Sequence, residues 1–406
     1  MTRRDQHGPE RLHSLDALRG IAALSVVLWH WQHFFFTGTS PGLYDKAALP
    51  FASVLYLFYA QGLQAVDLFF GLSGFVFFWL YSSRVSTGVM SFGRFMWLRF
   101  SRLYPLHFVT LLLVAAGQLW MVREYGTPFV YEFNDVRHFL LNLGFASSWS
   151  FEHGHSFNAP IWSVSVEVLL YMCFFVCCRL LPVRLPVLAL ISLAGFTVLT
   201  RRYAPAGQGI GSFFWGGSTF LVFRAIVGSG HARRAAGVAV ALALVAWSMT
   251  LVVAHPSFDV GVLTLRDLPF VARFDYRFQL TLAKVFRYWP TLLLFPTTIL
   301  ALALVETTRG PLGRSVSFLG DISYSSYLWH FPLQLVVMAV LLPRRLGQGV
   351  YYSSWFMVAF FAVLVAISYG SYHRFEAPLQ HRLRRVWQGG RTRGGTQGVQ
   401  GGQVLP

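Results

Sequence analysis

Four ionisable side chains, His30, Asp67, Glu167 and His330, stand deep inside long apolar runs of the sequence. An Asp at the centre of a bilayer costs about 2.5–3.5 kcal/mol on insertion scales, so a chain that keeps such groups has a use for them. A histidine with a carboxylate neighbour takes a proton from a hydroxyl near neutral pH, and that is the chemistry these residue types suggest. His30 shares its run with Arg19, eleven residues earlier. At about 100° per residue this is three turns plus about 20°, so both side chains point to one side of a helix, about 16–17 Å apart along its axis. A long donor, its anionic head held by Arg19 and its reactive end beside His30 in one shared cavity, fits that spacing. A snorkelling arginine and a hydrogen-bonded bundle histidine fit it too.

Two more segments bear on the same chemistry. Arg99 and Arg102 lie three residues apart in Arg99-Phe100-Ser101-Arg102-Leu103-Tyr104-Pro105, on one helix face, where forked donors suit phosphates or simply anchor the chain at a water boundary. Asp67 lies in Asp67-Leu68-Phe69-Phe70-Gly71-Leu72-Ser73-Gly74-Phe75, where the small residues allow a close helix contact and the buried carboxylate calls for a partner such as an Arg or His. Glu167 follows Trp162-Ser163 near the middle of its run, at about the depth of His30, Asp67 and His330, so a single polar site inside a bundle is expected. Cys173, Cys177 and Cys178 sit together in one apolar run and read as buried small hydrophobes. His7, His13, His153 and His155 fall outside the runs and form no metal pattern, so no metal is expected.

The elements that must position these groups are membrane helices. Of the 406 residues, 55% are hydrophobic and only 12% charged, against about 25% charged in a soluble domain. Apolar runs near the twenty residues that span a bilayer recur along the chain. They predict an all-α polytopic bundle of about ten helices, at 17–36, 55–81, 103–122, 157–181, 186–200, 210–228, 235–254, 289–306, 322–342 and 350–371. The first run ends in Phe34-Phe35-Phe36 rather than in a small-residue cleavage site, and reads as a retained helix. Segment 138–150 is shorter and reads as re-entrant or interfacial. A loop at about 255–288, mixing Asp and Arg, is long enough to lie over one mouth of the bundle. With both termini on the cytoplasmic side, 21 of the 33 Lys and Arg fall inside and 12 outside, as the positive-inside rule asks. The formal net charge of +17 is thus read as membrane orientation, not nucleic-acid binding. Residues 379–406, basic and Gly-rich, read as a disordered cytoplasmic tail after an integral membrane domain at 1–378.

Taken in order, the segments resemble acyltransferase family 3, a membrane acyltransferase family, from Arg11 to Pro378. Arg19 with His30 looks like its Arg-x10-His first helix; Asp67-Leu68-Phe69-Phe70 with Ser73-Gly74 like its second signature; Arg99 with Arg102-x-Tyr104-Pro105 like its paired arginines. Trp162-Ser163 with Glu167, Ser323-Tyr324 with Tyr327-Leu328-Trp329-His330, and Tyr372-His373-Arg374-Phe375-Glu376-Ala377-Pro378 complete the series. The resemblance implies ten helices in a bacterial inner membrane. It also implies O-acyl transfer, usually of acetyl, onto hydroxyls of lipopolysaccharide, exopolysaccharide, peptidoglycan or some macrolides. It makes Arg19 and His30 the leading functional pair. The expectation is then that Arg19, Arg99 and Arg102 bind acetyl-CoA as donor substrate, with no bound cofactor. His30 is the base or acyl carrier and Glu167 orients it or meets the acceptor, while Asp67, Ser73, Trp162 and His330 line the site. A transporter or flippase is the rival class; it calls for two pseudo-symmetric halves with broken helices, and the sequence has no such symmetry.

Overall fold

The computed structural model describes residues 11–254, 288–341 and 347–392, and among these the chain is helical with one isolated bridge, Thr37–Ser40, and no strand. Helix α1 (His13–Trp29) runs on into a tighter turn, His30–Phe35. Then come α2 (Ala52–Gln61), α3 (Ala65–Ser86), α4 (Phe92–Tyr125), the short α5 (Val136–Leu143) and α6 (Trp162–Leu180). Next are α7 (Leu185–Ala194), α8 (Ala204–Gly228), α9 (Ala232–Ala254), α10 (Phe295–Arg309), α11 (Ser323–Leu341), α12 (Ser354–Ser371) and α13 (Ala377–Thr392).

Among the described residues eight helical stretches are long and apolar enough to cross a bilayer, so the chain is a multi-pass membrane protein. Each of the ten expected spans coincides with a helix. The two outside the eight are α1, which has 17 residues, and α11, whose first half is Ser- and Tyr-rich and holds His330. These are also the helices that carry much of the polar chemistry. The loop expected at 255–288 lies, apart from Tyr288, outside the described residues.

Segment 138–150 is partly the helix α5, capped by Asp135, which accepts from the His138 backbone N–H at 2.9 Å. That bond holds the exposed Asp135 carboxyl below the usual carboxylate range. The expected tail is corrected: from 379 to Thr392 the chain is helix, and residues 393–406 lie outside the described ones. Leu379, Leu383 and Trp387 recur every four residues, and Trp387 stacks on Trp97 of α4 at 5.3 Å between ring centres. Trp97 Nε1 also donates to the Leu383 carbonyl at 3.1 Å. Docking on α4 therefore overrides the polar composition of this segment.

Contact between α3 and α8 is backbone to backbone. A Cβ on Gly216 would fall on the Gly71 carbonyl oxygen, and one on Gly74 on that of Phe213. Gly216→Val should accordingly lower the thermal midpoint in detergent, since overpacking costs about 1–3 kcal/mol. Gly237→Ala, with open space around its Cβ, should leave the midpoint unchanged or slightly higher. Equal behaviour of the two variants would refute this packing account.

Candidate functional site

The site begins with the way α1 is fixed in depth. Leu12 at its N-cap offers no side-chain acceptor. Glu306, at the end of α10, supplies one: it accepts from His13 N at 2.9 Å, Ser14 N at 2.8 Å and Ser14 Oγ at 2.5 Å. A buried carboxylate at a helix N-terminus satisfies orphan N–H groups and opposes the helix dipole. Arg11 adds ion pairs to Asp16 at 2.6 Å and Asp321 at 2.7 Å. Gly20 lies against Leu319, and Gly320 against the Asp16 carbonyl. The height of Arg19 and His30 in the bundle is set by these contacts.

Arg19 opens onto a cleft of about 250 Å³, reaching out to solvent, between α1, α3, α4, α11 and α13. Arg99 and Arg102 of α4 line the same space, as do Tyr81, Tyr324 and Arg384. Arg99 is fixed by a 2.5 Å bond to the Tyr81 hydroxyl and by the Phe77 and Tyr81 rings, 5.1 and 4.9 Å from its guanidinium carbon. Its Nε is buried without a partner. The ion pairs among the described residues are those of Arg11 and the pair His138–Asp135, so Arg19, Arg99, Arg102 and Arg384 have none. Four unpaired guanidinium groups around one cleft make an anion site. Glu376, also on its wall, accepts instead from Ser325 Oγ at 2.6 Å and Ser371 Oγ at 2.8 Å.

Inward, the space continues past Ser73 and Glu167, which meet at 3.1 Å, to Ser163 and Tyr327. Tyr324, whose hydroxyl donates to the Leu103 carbonyl at 2.6 Å, lines the whole path. The Tyr327 hydroxyl donates to the Pro160 carbonyl at 2.8 Å and meets Ser163 Oγ at 2.8 Å.

Beyond Tyr327 lies a cluster of three buried histidines. The His30 ring is 4.8 Å from His33 and 4.8 Å from His330, and the His330 ring is 5.9 Å from Tyr327. His30 Nδ1 lies 2.9 Å from the Val26 carbonyl, and His330 Nδ1 lies 2.6 Å from that of Tyr327. A carbonyl only accepts, so Nδ1 carries the hydrogen in both, and Nε2 of each neutral ring presents a lone pair. His330 Nε2 is buried without a partner. Gln334 braces the cluster, donating to the His30 carbonyl at 2.9 Å and facing His33 Nδ1 at 3.1 Å. Tyr131, from the segment before α5, closes the far side 3.4 Å from His33 Nε2. His155 stands behind it, and burial lowers the pKa of that imidazole. Among the described residues no three His, Cys, Asp or Glu side chains are placed to share a metal ion.

The four mid-depth groups therefore do not form one site. His30 and His330 meet; Glu167 stands in the arginine-lined space; Asp67 accepts from Gln208 at 2.5 Å and Ser212 at 3.1 Å, tying α3 to α8. Ser73 comes six residues after Asp67, about 240° round the helix, and so faces the cleft when Asp67 faces α8. Trp162 packs into the apolar core, and its neighbour Ser163 lines the space in its place. Arg19 lines the cleft and the space up to Tyr327, whereas His30 is not among the residues lining that space and is reached only through His330, whose ring is 5.9 Å from Tyr327, so the two do not share the single cavity expected. The sequence reading assigned no site role to His33, Gln334, Tyr131 or Arg384. For His33 the signal was its three-residue spacing from His30; for Arg384 it was the amphipathic pattern around Trp387.

Comparisons with known proteins bear on the family. The model of a family described as an acyltransferase domain matches residues 12–373. Over 111 residues the chain is 40% identical to protein 2 in the picA locus of Rhizobium radiobacter, covering 27% of this chain and 48% of that protein. Over 180 residues it is 36% identical to acyltransferase MdmB of Streptomyces mycarofaciens, covering 43% of this chain and 42% of that one. The chain thus spans about half or less of the length of these curated relatives. No solved structure matches it. Because the family match runs from the cap of α1 through α12, and takes in Arg19, His30, the paired arginines, Glu167 and His330, the chain belongs to the membrane acyltransferase family 3.

Proposed function

We propose that this protein moves an acetyl-type group from acetyl-CoA to a carbohydrate hydroxyl, in a bacterial inner membrane with both termini cytoplasmic. The observation that carries the reading is a cleft lined by four arginines without ion partners among the described residues, whose inner end at Tyr327 lies 5.9 Å from the ring of His330, itself 4.8 Å from that of His30. Arg99, Arg102 and Arg19 hold the donor's phosphates. The pantetheine arm follows Tyr324, Ser73 and Glu167, and turning of the Tyr327 ring brings the thioester beside His30. His30 Nε2 takes the acceptor's proton as the oxygen attacks the thioester carbonyl. The C–S bond breaks, and the proton passes to the leaving thiolate. Alternatively the acyl group rests on His30 first and then passes to the acceptor.

Mass spectrometry of envelope glycans and secreted metabolites, from cells with and without the protein, tests this. An acetyl-sized mass difference on a lipopolysaccharide, exopolysaccharide or other envelope glycan is expected. The same difference on a small glycosylated metabolite would keep the chemistry and change the acceptor. No acylated product in either fraction, with purified protein also failing to consume acetyl-CoA, would overturn the reading.

A further inference from the structure

Besides Arg11, which is ion-paired to Asp16 and Asp321, the cleft holds one more cation than the paired-arginine and first-helix motifs supply. Arg384, on α13, lines it beside Arg99 and Arg102 and lies beyond the residues matched by the family. Its Nε is buried without a partner, and it makes no ion pair among the described residues. Gln380, one turn earlier, lines the same wall, and with its amide oriented so that the oxygen faces Arg384 it accepts from the guanidinium's terminal nitrogens. The Trp97–Trp387 stack and the Trp97–Leu383 bond hold this turn of α13 on α4, so Arg384 is positioned by packing.

Depth separates the four arginines. Arg19 lines all three spaces including the innermost, Arg99 and Arg102 the middle space and the outer cleft, and Arg384 the outer cleft alone. A CoA thioester carries phosphate at two places: a pyrophosphate in the arm, and a monoester on the ribose 3′ oxygen. With the thioester inward, the pyrophosphate falls to the middle pair and the monoester stays nearest the mouth. We propose that Arg384, with the Gln380 amide, forms an outer phosphate subsite that takes the ribose 3′-phosphate and makes this chain prefer CoA over donors without that group. A planar fork suits the three oxygens of a monoester, and charge-assisted bonds of this kind are the strong ones. The inference rests on the reading that the donor is a CoA thioester.

The test uses the full chain, purified in a non-ionic detergent free of phospholipid. Its affinities for CoA and 3′-dephospho-CoA are measured by calorimetry. The parent should bind CoA about tenfold tighter, one charge-assisted contact's worth. Arg384→Gln should weaken CoA to the level of dephospho-CoA and leave dephospho-CoA unchanged. A variant that keeps the tenfold preference overturns the subsite while the donor reading stands. If the parent binds neither compound, the donor reading itself fails, and the subsite with it. Should Arg384→Gln not fold, Arg384→Lys must narrow the preference to about threefold, and an unchanged preference overturns the proposal. Adding anionic phospholipid separates the other source of phosphate. If lipid abolishes the preference by competing for Arg384, a headgroup is the occupant and the proposal falls.

Discussion

His30→Ala is expected to reduce acyl transfer by about 10²–10⁴-fold, the usual contribution of a positioned general base, and to leave donor affinity near that of the parent. The separation is expected because His30 is not among the residues lining the arginine cleft proposed to hold the phosphates. Folding should survive. His30 contributes one side-chain bond, to the Val26 carbonyl, and α1 keeps its Glu306 cap, its Arg11 ion pairs and its packing against Leu319. Activity is followed with acetyl-labelled donor and a glycan extract, and donor affinity by calorimetry on the same preparation. A variant with parental turnover would remove His30 from the chemistry. Turnover and donor affinity falling together would make it a binding residue instead.

The neighbours of His30 sharpen the experiment. The Nδ1 hydrogen is committed to a backbone carbonyl, so Nε2 is the atom that reacts, either by taking a proton or by accepting the acyl group. Incubating the parent with labelled donor and no acceptor distinguishes these routes. An acyl-imidazole leaves label on the protein at His30, and direct transfer leaves none. His330 presents a second bare nitrogen nearby, buried and unpartnered, which suits passing the proton onward or holding the acceptor hydroxyl.

Much of the fold was legible in the sequence because membrane helices announce themselves by length and apolarity, and a bilayer forbids most other structures. Arg19 and His30, and Arg99 and Arg102, were legible as pairs because each lies on one helix, where spacing fixes direction. What comes together from different helices was not. Glu167 looked like a partner for His30, yet the rotation of α6 turns it to Ser73 and the arginines. The true neighbours of His30 are His330 and Gln334, some three hundred residues on, and are set by how α1 and α11 pack. Glu306 gave no sign in the sequence of capping a helix nearly three hundred residues away. Arg384 was hidden by composition: glycine, glutamine and arginine at a chain end resemble a solvated tail until the Leu383 carbonyl and the Trp387 ring are set against Trp97 of α4.

The second large effect is expected at the paired arginines. In the Arg99→Gln, Arg102→Gln variant the donor KM should rise about 10²–10⁴-fold and kcat should change little, because bonds to charged groups contribute about 1.5–3 kcal/mol each and these two hold the donor equally before and during reaction. Glutamine keeps a side-chain stem, which matters at Arg99, where part of the side chain packs on Phe77 and Tyr81. A second readout follows from the crowding of like charges. Arg19, Arg99, Arg102 and Arg384 face one cleft without ion partners among the described residues, so the empty site is electrostatically uneasy. Arg102→Gln alone should therefore not lower the midpoint of the ligand-free protein, whereas loss of an ordinary structural arginine would. Adding CoA should raise the midpoint of the parent, because a ligand that binds only the folded state stabilises it, and should raise that of the double variant far less at the same concentration. An unchanged donor KM in the double variant, or an equal CoA-induced rise in both proteins, would show that the phosphates bind elsewhere. A steep fall in the midpoint of empty Arg102→Gln would mark that residue as part of the scaffold rather than of the anion site.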